Sequence, residues 1–127
     1  MRETKLWTWH LIAGIAILVL LGLHMVTMHL GGLTGLFVAD RSLAAVAPAN
    51  SMARDGQLLF TVGYVLLLAA ALYHGLYGLR NVVLELTLRP GAEKALNVFL
   101  VLIGIGLFSL GTWAAFAAHT AAVIGRA

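Results

Sequence analysis

GQLLFTVGYVLLLAAALYHGLYGL, residues 56–79, runs without a single Asp, Glu, Lys or Arg and is closed by Arg80. A helix needs about 20 such residues to cross the roughly 30 Å of hydrocarbon in a bilayer, so this stretch is long enough to cross once. Working outward, residues 6–39 and 95–125 are equally free of formal charge. A soluble helix would interleave its apolar positions with a charged outer face, and none of the three runs does. With 61% apolar and only 10% charged residues, the chain reads as an all-α integral membrane protein with three transmembrane helices. Helices or closed barrels are the forms that satisfy the backbone where no water is present.

The expected spans are about 6–30, 57–87 and 93–122, in a single transmembrane domain covering 1–127, with an external loop at about 31–56. Gly31, Gly32 and Gly35 break the first helix ahead of Asp40 and Arg41. The Ala-rich middle of the loop, with Pro48 and Asn50, has room for a short amphipathic helix, while Asp40, Arg41, Arg54 and Asp55 resist submersion. Arg89, Pro90 and Gly91 form the turn before the last helix. The N-terminal apolar run is too long for a secretory signal and lacks a cleavage site, so it is read as the first span.

Charge sits at the ends of these runs. The eight basic and five acidic residues give a net +3, explained by contact with headgroups rather than nucleic acid. Arg2, Lys5, Arg80, Arg89 and Lys94 flank one side and Arg41, Arg54 and Arg126 the other, which points to a cytoplasmic N-terminus. Cysteine is absent, which removes disulfides, iron–sulfur ligation and thiol chemistry from this chain. No phosphate loop, paired carboxylates or nucleophile triad is present, so the chain is not expected to catalyse hydrolysis or phosphorylation on its own.

Five histidines then carry the chemistry, because an imidazole facing hydrocarbon is costly without a partner. At a rise of ~1.5 Å per residue, His24 lies roughly 28 Å from Lys5, whereas His74 lies about 9 Å before Arg80. The two rings fall in opposite leaflets and cannot share one iron. Each could hold a separate haem, given a second ligand. Around His74, Gly63, Ala70, Ala71 and Gly78 recur at helical spacing, a slot for a flat cofactor or a surface for close helix packing. His24 has Leu20, Leu21, Met25 and Met28 on its face and Gly14 only loosely, which favours a structural histidine over a ligand on spacing alone. His10, His29 and His119 lie near the interfaces and are read as structural, with His10 also beside Trp7 and Trp9 where a quinone head has access. Arg80 sits at a depth where it reaches an anionic group or a quinone oxygen, or simply anchors the interface; Tyr77 and Asn81 offer neutral hydrogen bonds beside it.

The segment His74-Gly-Leu-Tyr-Gly78-Leu-Arg80-Asn-Val resembles the His-x-x-x-Gly-x-Arg stretch of membrane anchors in the succinate dehydrogenase and fumarate reductase family. Residues 14–28, with His24, look like the first helix in the second half of single-chain dihaem anchors, and 93–116, ending Leu-Gly-Thr-Trp113, like their last helix. The resemblance implies that His74 ligates a haem b nearer the cytoplasm, with Tyr77, Gly78 and Arg80 beside it, and that His24 ligates a second haem nearer the outer face. It implies that the second ligands come from another anchor subunit, which completes a six-helix, haem-binding bundle. That bundle would dock beneath a flavoprotein and an iron–sulfur subunit in a bacterial or archaeal cytoplasmic membrane, and help pass electrons to menaquinone or ubiquinone as part of respiratory complex II. Two positions depart from the family. Leu72 stands where some dihaem fumarate reductases carry an intramembrane acid, which removes support for a proton path. Leu86, after Glu85, replaces a tyrosine that donates to quinone in single-haem anchors. Two other readings compete: a haem-free anchor that only tethers the catalytic subunits, and a small transporter component, disfavoured by charge-free spans and the lack of an inverted repeat.

Overall fold

The computed structural model describes residues 2–29, 47–86 and 89–125. Four helices follow one another: α1 (Arg2–His29), α2 (Pro48–Asp55), α3 (Leu58–Leu84) and α4 (Pro90–Ile124). Among the described residues there is no strand, and α1, α3 and α4 are each long and apolar enough to span a bilayer, so the protein is an all-α integral membrane protein. The expected break at Gly31, Gly32 and Gly35, and Asp40 and Arg41 behind it, fall outside the described residues.

Local chemistry accounts for the helix ends. Pro48 and Pro90 each occupy the first helical turn, where a missing N–H costs nothing, and the residues before them, Ala47 and Arg89, are extended as a following proline requires. The last span therefore begins at Pro90 itself, three residues earlier than Glu93, and Glu93 falls in its first turn where a carboxylate complements the helix dipole. The short α2 begins at Pro48 and takes in Asn50, Arg54 and Asp55 at the end of the expected loop. It ends at Gly56, and extended Gln57 turns the chain directly into α3. Three threonine hydroxyls in the spans return to their own helix: Thr8 donates to the Thr4 carbonyl at 2.9 Å, Thr27 to that of His24 at 2.7 Å and Thr120 to that of Phe116 at 2.9 Å.

The three spans stand in a row with α3 in the middle. It packs against α1 on one side and α4 on the other, while α1 and α4 do not touch among the described residues. Such a row has almost no interior: among the described residues Ala13, Leu100 and Ala122 are the buried apolar ones, whereas Leu18 and Leu59 are 75% and 77% exposed. Apolar surface on this scale is stable only against lipid or other protein. Where α3 begins, α2 folds back over α3 and α4, burying Asn50 and Arg54, and the His119 ring donates to the Asp55 carbonyl at 2.7 Å. That bond satisfies one of the carbonyls left open at the end of α2.

Two devices hold α4 to α3. Gly104 and Gly111, two turns apart on α4, face Leu76 and Leu68, and a Cβ on either glycine would run into the leucine methyls. In lipid, helices associate by close packing of this kind rather than by the hydrophobic effect. At the other end Arg80 donates from Nε to Asn97 Oδ1 at 2.7 Å and from Nη1 to Asn81 Oδ1 at 3.3 Å, with Glu93 4.0 Å from Nη2. The Arg80 side chain is only 20% exposed, so this clasp works partly shielded from water.

Branched bulk at Gly111 therefore separates the helices. Gly111→Val is expected to lower the thermal stability of the extracted protein by about 1–3 kcal/mol, and the second change Leu68→Ala to recover part of it. Asn97→Leu, which removes the acceptor at Arg80 Nε, is expected to cost about 1.5 kcal/mol in the same melting measurement. Wild-type melting in both variants would disprove the glycine seam and the clasp.

Candidate functional site

The α1–α3 seam gathers the aromatic and imidazole side chains. Tyr73 donates its hydroxyl to the Leu6 carbonyl at 2.9 Å, and one residue later His74 Nδ1 lies 3.2 Å from the His10 carbonyl. A carbonyl only accepts, so the proton of the His74 ring belongs on Nδ1, and Nε2 is left with its lone pair. The His10 ring lies flat on the His74 ring, with centroids 4.0 Å apart and planes 8° from parallel. Tyr77 tilts against His10 at 5.2 Å and stacks with Tyr73 at 5.9 Å.

Gly14 forms the remaining wall of this seat. A Cβ there would come within 3.2 Å of His74 Cε1 and 3.3 Å of Nδ1, closer than an unstrained contact. The glycine that spacing placed loosely with His24 thus belongs to His74. Conversely, the small residues expected to flank His74 on its own helix do other things. Gly78 lies under the His10 ring, 3.5 Å from its Cε1 to a would-be Cβ, Gly63 faces open space and Ala71 is exposed.

His24 stands apart, about 20 Å along α1 from His10 at the helical rise of about 1.5 Å per residue. It meets the edge of Tyr64 with ring centroids 5.8 Å apart, and its Nδ1 is buried with no hydrogen-bond partner among the described residues. The antiparallel course of α1 and α3 thus creates two histidine levels, one with an oriented ring and one without. Among the described residues no three His, Asp or Glu side chains gather as a metal-ion cage.

On the opposite face of α3 a groove of about 520 Å³ runs between α3 and α4. Leu72, Leu76, Gly104 and Phe108 make it apolar, and Tyr77, Arg80 and Asn97 close its polar end. Arg80 and Tyr77 are therefore brought together, but at the groove and not in the imidazole seat, with Tyr77 bordering both. Sequence reasoning reads His10 as structural or beside a quinone head, sets Gly14 loosely with His24, and does not single out Asn97. His10 and Gly14 stand one helical turn apart, the spacing at which a glycine opens access to the carbonyl a turn before it.

No curated protein and no solved structure matches the chain. A family model, succinate dehydrogenase/fumarate reductase transmembrane subunit, matches residues 2–110, which takes in α1, α2, α3 and most of α4. Three lipid-length helices, a histidine-bearing middle span and this match together make the chain a membrane anchor subunit belonging to the succinate dehydrogenase/fumarate reductase family.

Proposed function

We propose that this anchor carries haem b and helps pass electrons between the iron–sulfur subunit of its complex and membrane quinone. The observation behind this reading is the Nδ1 contact of His74 with the His10 carbonyl, which leaves Nε2 basic and aimed by its partner bond. That is the state of an imidazole suited to ligating iron. His24, with a buried Nδ1 lacking a partner among the described residues, suits a second haem at the other level. Bound there, haem would supply a one-electron carrier whose potential is tuned by axial ligands and burial. The second ligands would come from a partner anchor lying along the uncovered faces of α1 and α4, which together with this chain forms a six-helix bundle. The groove with Tyr77, Arg80 and Asn97 at its polar end suits a quinone, its ring near the donors and its tail along Leu72, Leu76 and Phe108. The flavoprotein and iron–sulfur subunits would sit on the side of Lys5, Arg80, Arg89 and Lys94, which is the cytoplasmic side of a bacterial or archaeal membrane on this reading.

The same stack favours a second reading. His74 already has a partner inside the chain, so a haem-free anchor that tethers the catalytic subunits is self-consistent. Redox-difference spectroscopy on the assembled complex separates the two. On the first reading His74→Ala and His24→Ala each abolish a different haem b band; full haem retained in both variants would dismiss the ligand assignments, and a wild-type complex without haem would establish the tether.

Orientation is open to a direct test because the chain has no cysteine. Single cysteines at Thr4 and Gly91 are expected to react with an impermeant maleimide only in inside-out vesicles. Labelling in right-side-out cells would reverse the topology.

A further inference from the structure

We infer that α1 is the orienting element for the His74 ring, with His10 and Gly14 as positioning residues; this deepens the haem-ligand reading and rests on it. Three contacts act on one imidazole from one helix. The His10 carbonyl accepts from the His74 Nδ1–H with N and O 3.2 Å apart, the His10 ring covers one face at 4.0 Å and 8°, and Gly14 leaves room for the ring edge.

The geometry of a helix explains why these two residues act together. A helical carbonyl already accepts from the N–H four residues on, which for His10 is Gly14. Its second lone pair is reached from the side, past the Cβ of that same later residue. At Gly14 there is no Cβ, and the ring of His74 occupies the space one would fill. The carbonyl bond sets which nitrogen is protonated and restrains tilt, while the stacked ring restrains rotation about the Cβ–Cγ bond. Tyr77 against His10 and Gly78 beneath it hold the stacking ring in turn. His24 has no such frame: among the described residues it has one edge contact with Tyr64 and no acceptor for Nδ1. Ring-plane angle at an axial ligand governs the spectroscopy of a low-spin ferric haem, so orientation can be read separately from ligation.

The test uses the whole complex carrying His10→Ala, His10→Phe, Gly14→Ala or the reference change His74→Ala. Haem content is measured by pyridine haemochrome and ring geometry by the largest g value in the ferric electron paramagnetic resonance spectrum. His10→Ala is expected to keep the haem but move that g value beyond the wild-type linewidth. His10→Phe, which retains a flat ring, is expected to restore it, and Gly14→Ala to move it with His10 intact. If His10→Ala fails to assemble, the contrast between His10→Phe and Gly14→Ala carries the test. Wild-type g values in His10→Ala and Gly14→Ala alike would overturn the positioning role. So would haem loss in His10→Ala equal to that in His74→Ala and not rescued by phenylalanine, which would make His10 a ligand. Failure of the underlying reading looks different: His74→Ala then keeps every haem. In that event the ring nitrogens of His74 in the ¹⁵N spectrum of the complex still decide the orientation claim, with an Nδ1 proton expected and an Nε2 proton overturning it.

Discussion

An imidazole N–H at membrane depth must find an acceptor, and for His74 that acceptor is a main-chain carbonyl of the neighbouring helix. The arrangement of α1 against α3 follows from this bond. Once the His10 carbonyl and His74 Nδ1 are joined, Leu6 comes level with Tyr73, and the antiparallel course of the two helices carries His24 to Tyr64. The alternative, a polar ring turned to hydrocarbon, costs far more than the bond itself contributes, because desolvation is the larger quantity. Register between two otherwise featureless apolar helices is thereby set by a few polar groups near one end.

The middle helix uses its two sides for different purposes. Toward α1 it presents His74, Tyr73 and Tyr77, and toward α4 it presents Leu68 and Leu76 to glycines, with Arg80 closing the end. Because α1 and α4 do not meet, neither seam is capped by the third helix. A closed three-helix bundle would bury its own contacts and leave little for a partner to recognise. An open row instead leaves long apolar faces for lipid and for the other subunits that a member of this family works with.

Much of this was legible in the sequence, and for identifiable reasons. Charge-free runs of lipid length reveal spans irrespective of how the helices pack, and His74-x-x-x-Gly78-x-Arg80 carried the family resemblance that the match over 2–110 bears out. Pairing between helices was harder to read. Helical spacing reports which residues share a face of one helix, so Gly14 was assigned to the face of His24 although its neighbour in space is on α3. His10 looked interfacial because depth alone does not reveal that a ring of another helix lies flat upon it. Arg80 looked like an anchor or a ligand for an anion, whereas its nearest partner, Asn97, lies across a turn on α4.

The difference between the two histidine levels bears on how such a protein assembles. At His74 the tautomer and ring plane are set within one chain, so the ring is oriented before any partner arrives, and little conformational freedom remains to be lost on ligation. At His24 the buried Nδ1 has no acceptor among the described residues, which leaves an unsatisfied polar group in an apolar seam. Such a group favours whatever supplies the missing bond, whether an acceptor on a partner helix or a ligand that reorganises the ring. In the seam near the N-terminus His10 Nδ1 is likewise buried without a partner among the described residues, so each level leaves one imidazole nitrogen to be satisfied by association. What separates the two depths is ring orientation, which the chain fixes at His74 by a carbonyl and a stacked ring and restrains at His24 by the edge of Tyr64.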